Sequence, residues 1–157
     1  MTNDLELGYA ELSDARAIAE LSRDAIEYGL GWEYRVERIE RYLCDAGTVA
    51  LVARERDAFA GFAIMQFGDE RAHLVLMAVL PALRRRGVGA RLLQWLVESA
   101  QVAGVMSIHL ELRAQNRAAH AFYRAAGFAE SLRMPGYYRG RETGVRMLRL
   151  LRTAKVP

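Results

Sequence analysis

The sequence predicts an α/β fold with a mixed, mostly antiparallel sheet flanked by helices. Two amphipathic helical patterns follow a short first strand, the hydrophobic period then changes to that of three successive strands, and helices alternate with strands over the second half. The expected element order is βααβββαβαββ. With 157 residues and no low-complexity linker, residues 1–157 are expected to form a single domain.

The N-terminal third predicts one strand and two helices. The strand is expected at Leu5 to Tyr9, and Ser13-Asp14 offers N-cap chemistry for a first helix that ends near Gly29. A second amphipathic helix is expected from about Trp32 to Leu43, before the turn at Asp45-Ala46-Gly47. Both helices therefore precede the main sheet.

The middle and C-terminal parts predict the rest of the sheet. The stretches TVALVAR, AFAGFAIMQF and AHLVLMAVL are expected to form a three-stranded antiparallel meander. Pro81 ends the third of these strands, because proline has no N–H to contribute to the ladder. A helix to about Ala103, the strand MSIHLELR, a helix from Asn116 to Ala126 and two strands around FAESL and GVRMLRLL complete the pattern.

Composition narrows the class of protein. The net charge of +3 is small and the bases lie beside acids along predicted helices, so no nucleic-acid partner is expected. The single cysteine, Cys44, excludes an internal disulfide framework, and His73, His109 and His120 share no metal-ligand spacing, so no metal site is expected. An acidic start and no run of 18 apolar residues favour a cytoplasmic protein without a membrane span.

The stretch LPALRRRGVGARLL places three arginines next to two glycines at the start of a predicted helix. Gly87 and Gly89 would lie where the N–H groups are unpaired, where the helix dipole is positive and where no Cβ blocks a ligand. Arg84, Arg85 and Arg86 add guanidinium donors for phosphate oxygens. The stretch therefore predicts a phosphate-binding loop, with a solvated connecting loop as the alternative.

The motif from Arg84 to Gly89, preceded by Val79-Leu80-Pro81, resembles the acyl-CoA pyrophosphate loop R-x-x-G-x-G/A of the GNAT superfamily of N-acetyltransferases. The stretch HLELRAQNRAAHAFYRAAGF resembles the second GNAT signature, N-x-x-A-x-x-x-Y-x-x-x-G-F. Both occur in the order and at the spacing of that superfamily, over roughly Leu74 to Phe128. The resemblance implies the GNAT fold and acetyl-CoA as co-substrate.

The resemblance also implies roles for individual residues. Asn116 is a helix N-cap candidate, and Gly127 is a candidate C′ glycine that would fold Phe128 back toward Tyr123. The family places a tyrosine such as Tyr123 beside the thioester sulfur, where it could protonate the leaving thiolate; a core position is the alternative. The residues expected to bind acetyl-CoA are Met77, Val79, Arg84, Arg85, Arg86, Gly87, Val88, Gly89, Ala90 and Asn116.

The segment L-E-L-R-A-Q-N resembles, within the superfamily, the bacterial ribosomal-protein N-terminal alanine acetyltransferases, whose matching glutamate is the general base. This implies that Glu111 accepts the proton of the amine. Ser107, His109, Glu111 and Arg113 share one strand face, so partial burial is expected to raise the pKa of Glu111, and His109 could tune it. The alternative is a salt bridge between Glu111 and Arg113 or another neighbour.

Three aromatic residues are expected to contact the acceptor. Tyr137 and Tyr138 resemble the paired tyrosines of the same subgroup, and Trp32 lies in the helical region that should line the acceptor cleft. The loop MPGYYRGRET departs from the subgroup by its extra arginines and by the lack of an acidic pair. Backbone N–H groups from Met77 to Val79 are expected to stabilise the oxyanion.

The predicted function is transfer of an acetyl group from acetyl-CoA to a primary amine, in particular a protein N-terminal α-amine. At pH 7 an α-amine of pKa about 7.8 is roughly one tenth neutral, whereas a lysine of pKa about 10.4 is neutral at roughly four parts in ten thousand, so a modest base suffices for an N-terminus. A small-molecule amine and, from another class, a non-catalytic acyl-CoA-binding module are the alternatives. A homodimer is left open.

Overall fold

The computed structural model describes residues 4–152, which form seven strands and four α-helices. The strands are β1 (Leu5–Tyr9), β2 (Thr48–Glu55), β3 (Ala58–Phe67), β4 (Arg71–Val79), β5 (Ser107–Arg113), β6 (Ala129–Tyr138) and β7 (Glu142–Leu150). The helices are α1 (Ala15–Ala25), α2 (Val36–Leu43), α3 (Val88–Ala103) and α4 (Arg117–Ala125). The strands form one sheet in the order β1-β2-β3-β4-β5-β7-β6, in which only β4 and β5 pair in parallel. The predicted mixed, mostly antiparallel α/β fold is confirmed.

Each face of the sheet is covered by its own pair of helices. On one face the apolar stripe of α3, including the fully buried Leu92 and Leu96, packs with Ile108 of β5; we call this set of buried residues the α3 cluster. On the other face Ile18 of α1 and Ile39 of α2 pack in a separate set of buried residues, the α1 cluster. Helices α1 and α2 cover β2, β3 and the C-terminal half of β4. The polar face of β5 lies beside these two helices.

A β-bulge at Val75 changes the direction in which β4 presents its side chains. Leu74 pairs with Met65 and Leu76 pairs with Ile64, so Val75 is an extra residue on β4. In a regular strand two residues that are two positions apart share a face, yet Leu74 packs in the α3 cluster and Leu76 in the α1 cluster. The bulge therefore turns the C-terminal half of β4 relative to β5.

β4 and β5 pair over only three residues each and then separate. The ladder runs from Arg71 opposite Ser107 to His73 opposite His109, and β4 continues to Val79 without β5 as a partner. The separated strands enclose a wedge between residues 75–79 of β4 and 111–113 of β5. Backbone groups of β4 on this side have no ladder partner in β5.

The first two helices are shorter than predicted. α1 ends at Ala25 rather than near Gly29, and α2 begins at Val36 rather than near Trp32. The buried carboxylate of Glu27 is the reason, because it accepts hydrogen bonds from the segment between the helices and holds that segment as a loop. Its donors are Ser22 Oγ (2.9 Å), Glu33 N (2.7 Å) and Tyr34 N (3.1 Å).

The start of α1 also differs from the prediction. Asp14 occupies the N-cap position, but its side chain does not cap α1. It accepts hydrogen bonds from the backbone N–H of Glu11 at 2.8 Å and from Arg54 of β2 at 2.5 Å. The expected capping residue instead joins the short 3-10 turn before α1 to the sheet.

The final hairpin is longer than predicted. β6 extends to Tyr138 and β7 begins at Glu142, so Tyr137 and Tyr138 lie in β6 rather than in a loop. Arg139 and Gly140 between them both have positive φ values, 57° and 68°, as the central positions of a type I′ turn require. Across residues 4–152, no helix is long and apolar enough to cross a membrane.

Candidate active site

The N-terminus of α3 presents open backbone N–H groups. Gly87 is the N-cap residue with φ +82°, and a Cβ there would meet nothing within 4 Å, so the backbone conformation and not packing requires glycine. The helical hydrogen bonds begin with Arg91 N to Gly87 O at 3.1 Å. The N–H groups of Val88, Gly89 and Ala90 precede this first helical bond and have no carbonyl of a preceding turn to bind. They are available to an anion.

The three arginines of this loop are exposed and differ in their contacts. Arg84 Nε donates to Val79 O at 3.2 Å, and Arg86 pairs with Glu55 of β2 at 2.8 Å. Arg85 has φ +62°, a left-handed conformation that costs a residue other than glycine about 1–2 kcal/mol. Backbone strain of this kind is common in ligand-binding loops. The loop thus has the charge and the shape to bind a pyrophosphate.

Some residues expected to bind acetyl-CoA also have packing roles. A Cβ on Gly89 would lie 3.4 Å from Phe122 Cζ of α4 and 3.7 Å from Val79 Cγ2, so this glycine lets α3 approach α4 and β4 closely. The Val88 side chain is buried in the α3 cluster, as is part of Met77, so only the backbone of Val88 is free for a ligand. Ala90 is exposed.

The helix that carries the second motif begins and ends as the sequence predicts. Asn116 Oδ1 accepts a hydrogen bond from Ala119 N at 3.1 Å and caps α4. Gly127 has φ +95°, and Phe128 N donates to Tyr123 O at 3.0 Å, which is the Schellman pattern. The Tyr123 and Phe128 rings meet edge to face at 5.6 Å. Both cap predictions are confirmed.

Tyr123 is a buried residue of the α3 cluster, so the alternative of a core position holds for its ring. The ring also meets Phe122 edge to face at 5.1 Å. Burial raises the pKa of the Tyr123 phenol above its ordinary value of 10, so the hydroxyl stays protonated at neutral pH. A protonated hydroxyl can donate a hydrogen bond to a thiolate.

Glu111 is held from two strands at once. Oε1 lies 2.8 Å from Nε2 of His73 on β4, and Oε2 accepts a hydrogen bond from Nε of Arg146 on β7 at 3.0 Å. Burial raises the pKa of the carboxyl, but the hydrogen bonds and charges of His73 and Arg146 outweigh burial and lower the pKa to about 2. The expectation of a raised pKa was wrong. The alternative salt bridge exists, with Arg146 as partner rather than Arg113.

His73, and not His109, makes the contact with Glu111. The His109 ring stacks on the His73 ring with centroids 4.5 Å apart and an interplanar angle of 4°, and its buried Nδ1 has no hydrogen-bond partner within residues 4–152. Burial, followed by the charge of His73, lowers the pKa of His109. The sequence did not indicate this cluster, because His73 and Glu111 lie 38 residues apart.

The same three side chains bring potential metal ligands together. Ligand atoms of His73, His109 and Glu111 lie within 4.8 Å of one another. An imidazole binds a metal ion along the lone pair in its ring plane. Because the two imidazole planes are stacked in parallel, their lone pairs cannot converge on one ion in this arrangement.

Arg113, two residues after Glu111 on β5, has partners that the sequence did not reveal. Its guanidinium is buried and forms a bidentate pair with Glu142 of β7, with Nε to Oε1 at 2.8 Å. Its Nη1 donates to Tyr28 O at 2.7 Å and to Ile26 O at 3.3 Å. Arg113 therefore ties the loop between α1 and α2 to the end of β5.

Tyr137 and Tyr138 lie close enough to Glu111 for its charge to act on their phenols, and their contact with an acceptor stays a prediction. The Tyr137 ring packs over Gly144, and burial together with the Glu111 carboxylate raises the pKa of its phenol. Burial raises the pKa of Tyr138 further from its ordinary range, with smaller contributions from Tyr137 and Glu111. Both phenols are therefore neutral hydrogen-bonding groups at physiological pH.

Trp32 is engaged within the loop between α1 and α2. Its Nε1 donates to Tyr34 O at 3.1 Å, and the guanidinium groups of Arg23 and Arg35 lie 5.1 Å and 4.9 Å from its ring. The side chain is only partly exposed and packs against the α1 cluster. These contacts give Trp32 a role in shaping the loop, and its contact with an acceptor stays a prediction.

Two cavities lie beside β4, one after its C-terminal end and one at its N-terminal end. We call residues 84–89 the arginine loop. A groove of about 700 Å³ extends from Leu80 and Arg84, at the start of this loop, to Tyr28 in the loop after α1. A second cavity of about 670 Å³ is lined by His73 and His109 and opens between the β3–β4 turn and the loop after α2. The cavity lining also includes the carboxylates Asp45, Asp69 and Glu70.

Comparison with known proteins agrees with this architecture. The chain is 40% identical over 99 residues to the [ribosomal protein bS18]-alanine N-acetyltransferase of Salmonella typhimurium, a match that covers 63% of each chain. The crystal structure of the ribosomal-protein-S18-alanine N-acetyltransferase from Escherichia coli superposes with a TM-score of 0.81 at 27% identity and covers 96% of both chains. The Salmonella typhimurium protein yncA, solved with its cofactor acetyl-CoA, has the same fold, with a TM-score of 0.81 at 24% identity over 99% of this chain and 98% of that chain.

The sequence match to the curated relative therefore spans less than two thirds of that relative's length. A family model described as the acetyltransferase (GNAT) family matches residues 15–128, which include the arginine loop, β4, β5 and α4. The GNAT resemblance of the two motifs is thereby confirmed. The chain belongs to the acetyltransferase (GNAT) family.

Proposed function

We propose that the protein transfers an acetyl group from acetyl-CoA to a primary amine, and that the amine is the N-terminal α-amine of a protein. The observation that carries the proposal is the wedge between β4 and β5, which has the arginine loop at one end and the buried Glu111 cluster on its polar face. Anion binding and proton transfer are thus served by two separate groups of residues at one opening in the sheet.

The arginine loop fits the pyrophosphate of acetyl-CoA. The uncapped start of α3, the left-handed backbone at Arg85 and Gly87 and the open space around Gly87 leave room and donors for phosphate oxygens. The wedge between β4 and β5 opens next to this loop, where Arg84 Nε donates to Val79 O, so the rest of an extended ligand would run into the wedge. Bound acetyl-CoA supplies the activated acetyl group and the thiol leaving group.

The protein's own residues account for the remaining chemistry. Backbone N–H groups of β4 between Met77 and Val79, which β5 does not pair, would stabilise negative charge on the carbonyl oxygen. The amine proton would pass toward Glu111 through water. The protonated hydroxyl of Tyr123 would donate to the departing sulfur.

The low pKa of Glu111 bears on the acceptor. A carboxylate with a pKa of about 2 is a weak base, so it is matched to an amine that is already partly neutral. At pH 7 this describes an α-amine and not a lysine side chain. The names of the relatives, which act on the alanine of ribosomal protein bS18, support the same acceptor class. An acceptor of this kind would place the enzyme in the cytoplasm.

Release of free thiol from acetyl-CoA tests the proposal against two sets of acceptors. One set contains short peptides with varied N-terminal residues, each matched by the same peptide with a blocked N-terminus; the other contains polyamines, amino acids and aminoglycosides. Turnover of the unblocked peptides alone is expected. Turnover of small amines alone would keep the chemistry and overturn the acceptor. No turnover in either set, with acetyl-CoA binding intact by calorimetry, would indicate a binding module instead.

A further inference from the structure

The Glu111 carboxylate is poorly placed to release a proton to solvent by itself. Its side chain is only 11% exposed, and its two oxygens are engaged by His73 and Arg146. A guanidinium is already fully protonated and cannot accept a further proton. His73 is therefore the one of these two partners that can take a proton.

We propose that the Glu111–His73 pair, rather than Glu111 alone, is the proton acceptor, and that the proton from the acceptor amine is held on His73 and leaves through the cavity of about 670 Å³ beside it. This inference rests on the proposed function. Because Glu111 is ionised, the hydrogen bond at 2.8 Å requires a proton on Nε2 of His73, which leaves the Nδ1 lone pair free.

The transfer balances in protons and charge. When an ammonium group becomes an amide, its nitrogen loses two protons. One of these protons ends on the sulfur when the C–S bond breaks. For the other, an N–H bond of the amine breaks and an Nδ1–H bond forms on His73, with water as the carrier, while Glu111 stays ionised and keeps its hydrogen bond from Nε2. The resulting imidazolium faces the Glu111 carboxylate and then releases the Nδ1 proton to solvent.

Exposure and position support this route. The His73 side chain is 33% exposed and lines the cavity of about 670 Å³, whereas Glu111 is 11% exposed and does not line that cavity. His73 is also the last residue of β4 that pairs with β5, so it lies where the wedge begins. It therefore connects the buried carboxylate in the wedge to the solvent side of the cavity.

The charges around His73 act in both directions. Arg71 on its own strand, Arg146 on β7 and a protonated His109 disfavour an imidazolium, while Glu111 favours one. The carboxylates of the cavity, Asp45, Asp69 and Glu70, favour it as well.

The test compares His73→Gln and His73→Ala with the wild-type protein. Glutamine keeps a donor for Glu111 but cannot take up a proton, and alanine leaves space for free imidazole. His120→Gln is the matched control, because His120 also contacts a carboxylate, that of Glu130 at 3.1 Å, but lies on α4. The dependence of kcat on pH from 5.5 to 9 is measured with saturating acetyl-CoA and a peptide acceptor, and the KM for acetyl-CoA is measured beside it.

We expect His73→Gln to lower kcat at pH 7 at least about tenfold with little change in the KM for acetyl-CoA, and to lose the rise of kcat with pH that titration of an imidazole causes. Added imidazole should restore His73→Ala, and His120→Gln should match the wild type. An unchanged rate and pH profile in His73→Gln overturns the proposal. A lower rate with an unchanged pH profile and no rescue by imidazole also overturns it, because that result indicates a purely structural role.

Nitrogen NMR of the wild-type histidines gives a second test that needs neither turnover nor a variant. The proposal requires the neutral His73 ring to carry its proton on Nε2, where it donates to Glu111. A neutral ring protonated on Nδ1 overturns the proposal. If the wild-type protein turns over peptides while the His73 variants behave like the control, only the relay fails; if it turns over no amine, the proposed function fails and the NMR result still decides the role of His73.

Discussion

The carboxylate of Glu111 is bound by an imidazole from β4 and a guanidinium from β7, at 2.8 Å and 3.0 Å. Its charged form is stabilised more by these two contacts than it is destabilised by burial. Glu130 has a similar pair of partners, His120 and Arg133, but lies at the surface. The two carboxylates therefore form a natural comparison of the same contacts with and without burial.

We expect Glu111→Gln to reduce the loss of stability in acid. The folded-state pKa of about 2 lies below the ordinary value of 4.5, so the stabilisation is complete above about pH 4.5 and is lost as the pH falls toward 2. This shift in the pKa of Glu111 corresponds to at most about 3 kcal/mol in the free energy of unfolding. Urea unfolding at pH 6 and pH 3 measures the loss of stability in acid, and the control variant Glu130→Gln should reduce that loss less than Glu111→Gln does. Equal acid sensitivity of Glu111→Gln and the wild type would contradict the assignment.

Tyr123 combines a buried ring with a protonated hydroxyl, and Tyr123→Phe separates the two. The variant keeps the ring in the α3 cluster and removes only the hydroxyl. We expect kcat to fall at least about tenfold while the KM for acetyl-CoA and the melting temperature change little. Steady-state thiol release and thermal unfolding measure these quantities, and Tyr9→Phe at an exposed position is the control. A rate equal to that of the wild type would leave Tyr123 with a packing role alone.

At the scale of the elements, β4 and α3 position the candidate site together. The bulge at Val75 and the short ladder with β5 open the wedge, and the chain then turns at Pro81 into the arginine loop. α3 has a glycine with positive φ at each end, Gly87 with +82° and Gly104 with +80°. Only the first of these lies in the loop.

Alanine at either end of α3 should therefore have the same local effect and different functional effects. We expect Gly87→Ala and Gly104→Ala each to lower the free energy of unfolding by about 1–2 kcal/mol, because alanine is strained at positive φ. Only Gly87→Ala should weaken acetyl-CoA binding, since it changes the backbone that presents the N–H groups. Chemical unfolding and calorimetric titration with acetyl-CoA measure the two effects. Equal affinities in the two variants would argue against cofactor binding at this loop.

At the scale of the whole molecule, the acceptor side depends on contacts between segments that are far apart in sequence. Arg113 joins β5 to Glu142 and to two carbonyl groups of the loop after α1. Arg139, in the β6–β7 turn, pairs with Glu33 of the same loop at 2.9 Å. The loop and the hairpin are therefore held together over the end of β5 that follows Glu111.

We expect Arg113→Met to lower the free energy of unfolding by about 3–5 kcal/mol, because it leaves Glu142 and the loop carbonyls without their buried partner. Arg133→Met is the matched control: its pair with Glu130 is exposed, so a change of at most about 1 kcal/mol is expected. Urea unfolding at pH 7 compares the two variants. A small change in Arg113→Met would show that the loop is held mainly by its other contacts.

Local patterns in the sequence were sufficient for the elements and for the motifs. The order of strands and helices, the caps at Asn116 and Gly127 and the arginine loop all depend on residues within one turn or one strand, where period, proline, glycine and capping side chains act directly. The same local reasoning extended the first two helices too far, because the carboxylate of Glu27 binds backbone groups six and seven residues away.

By itself, the sequence determined the fold class, and it selected the arginine loop as a candidate phosphate-binding loop and Glu111 and Tyr123 as candidate catalytic residues. Only the tertiary structure decided what surrounds Glu111, because His73 is 38 residues distant and Arg146 is 35 residues distant, and each is brought to it by the pairing of different strands. The sign of the pKa shift followed from those partners. Burial can be anticipated from alternation along one strand, but the charges that oppose it come from neighbouring strands whose register no local pattern specifies.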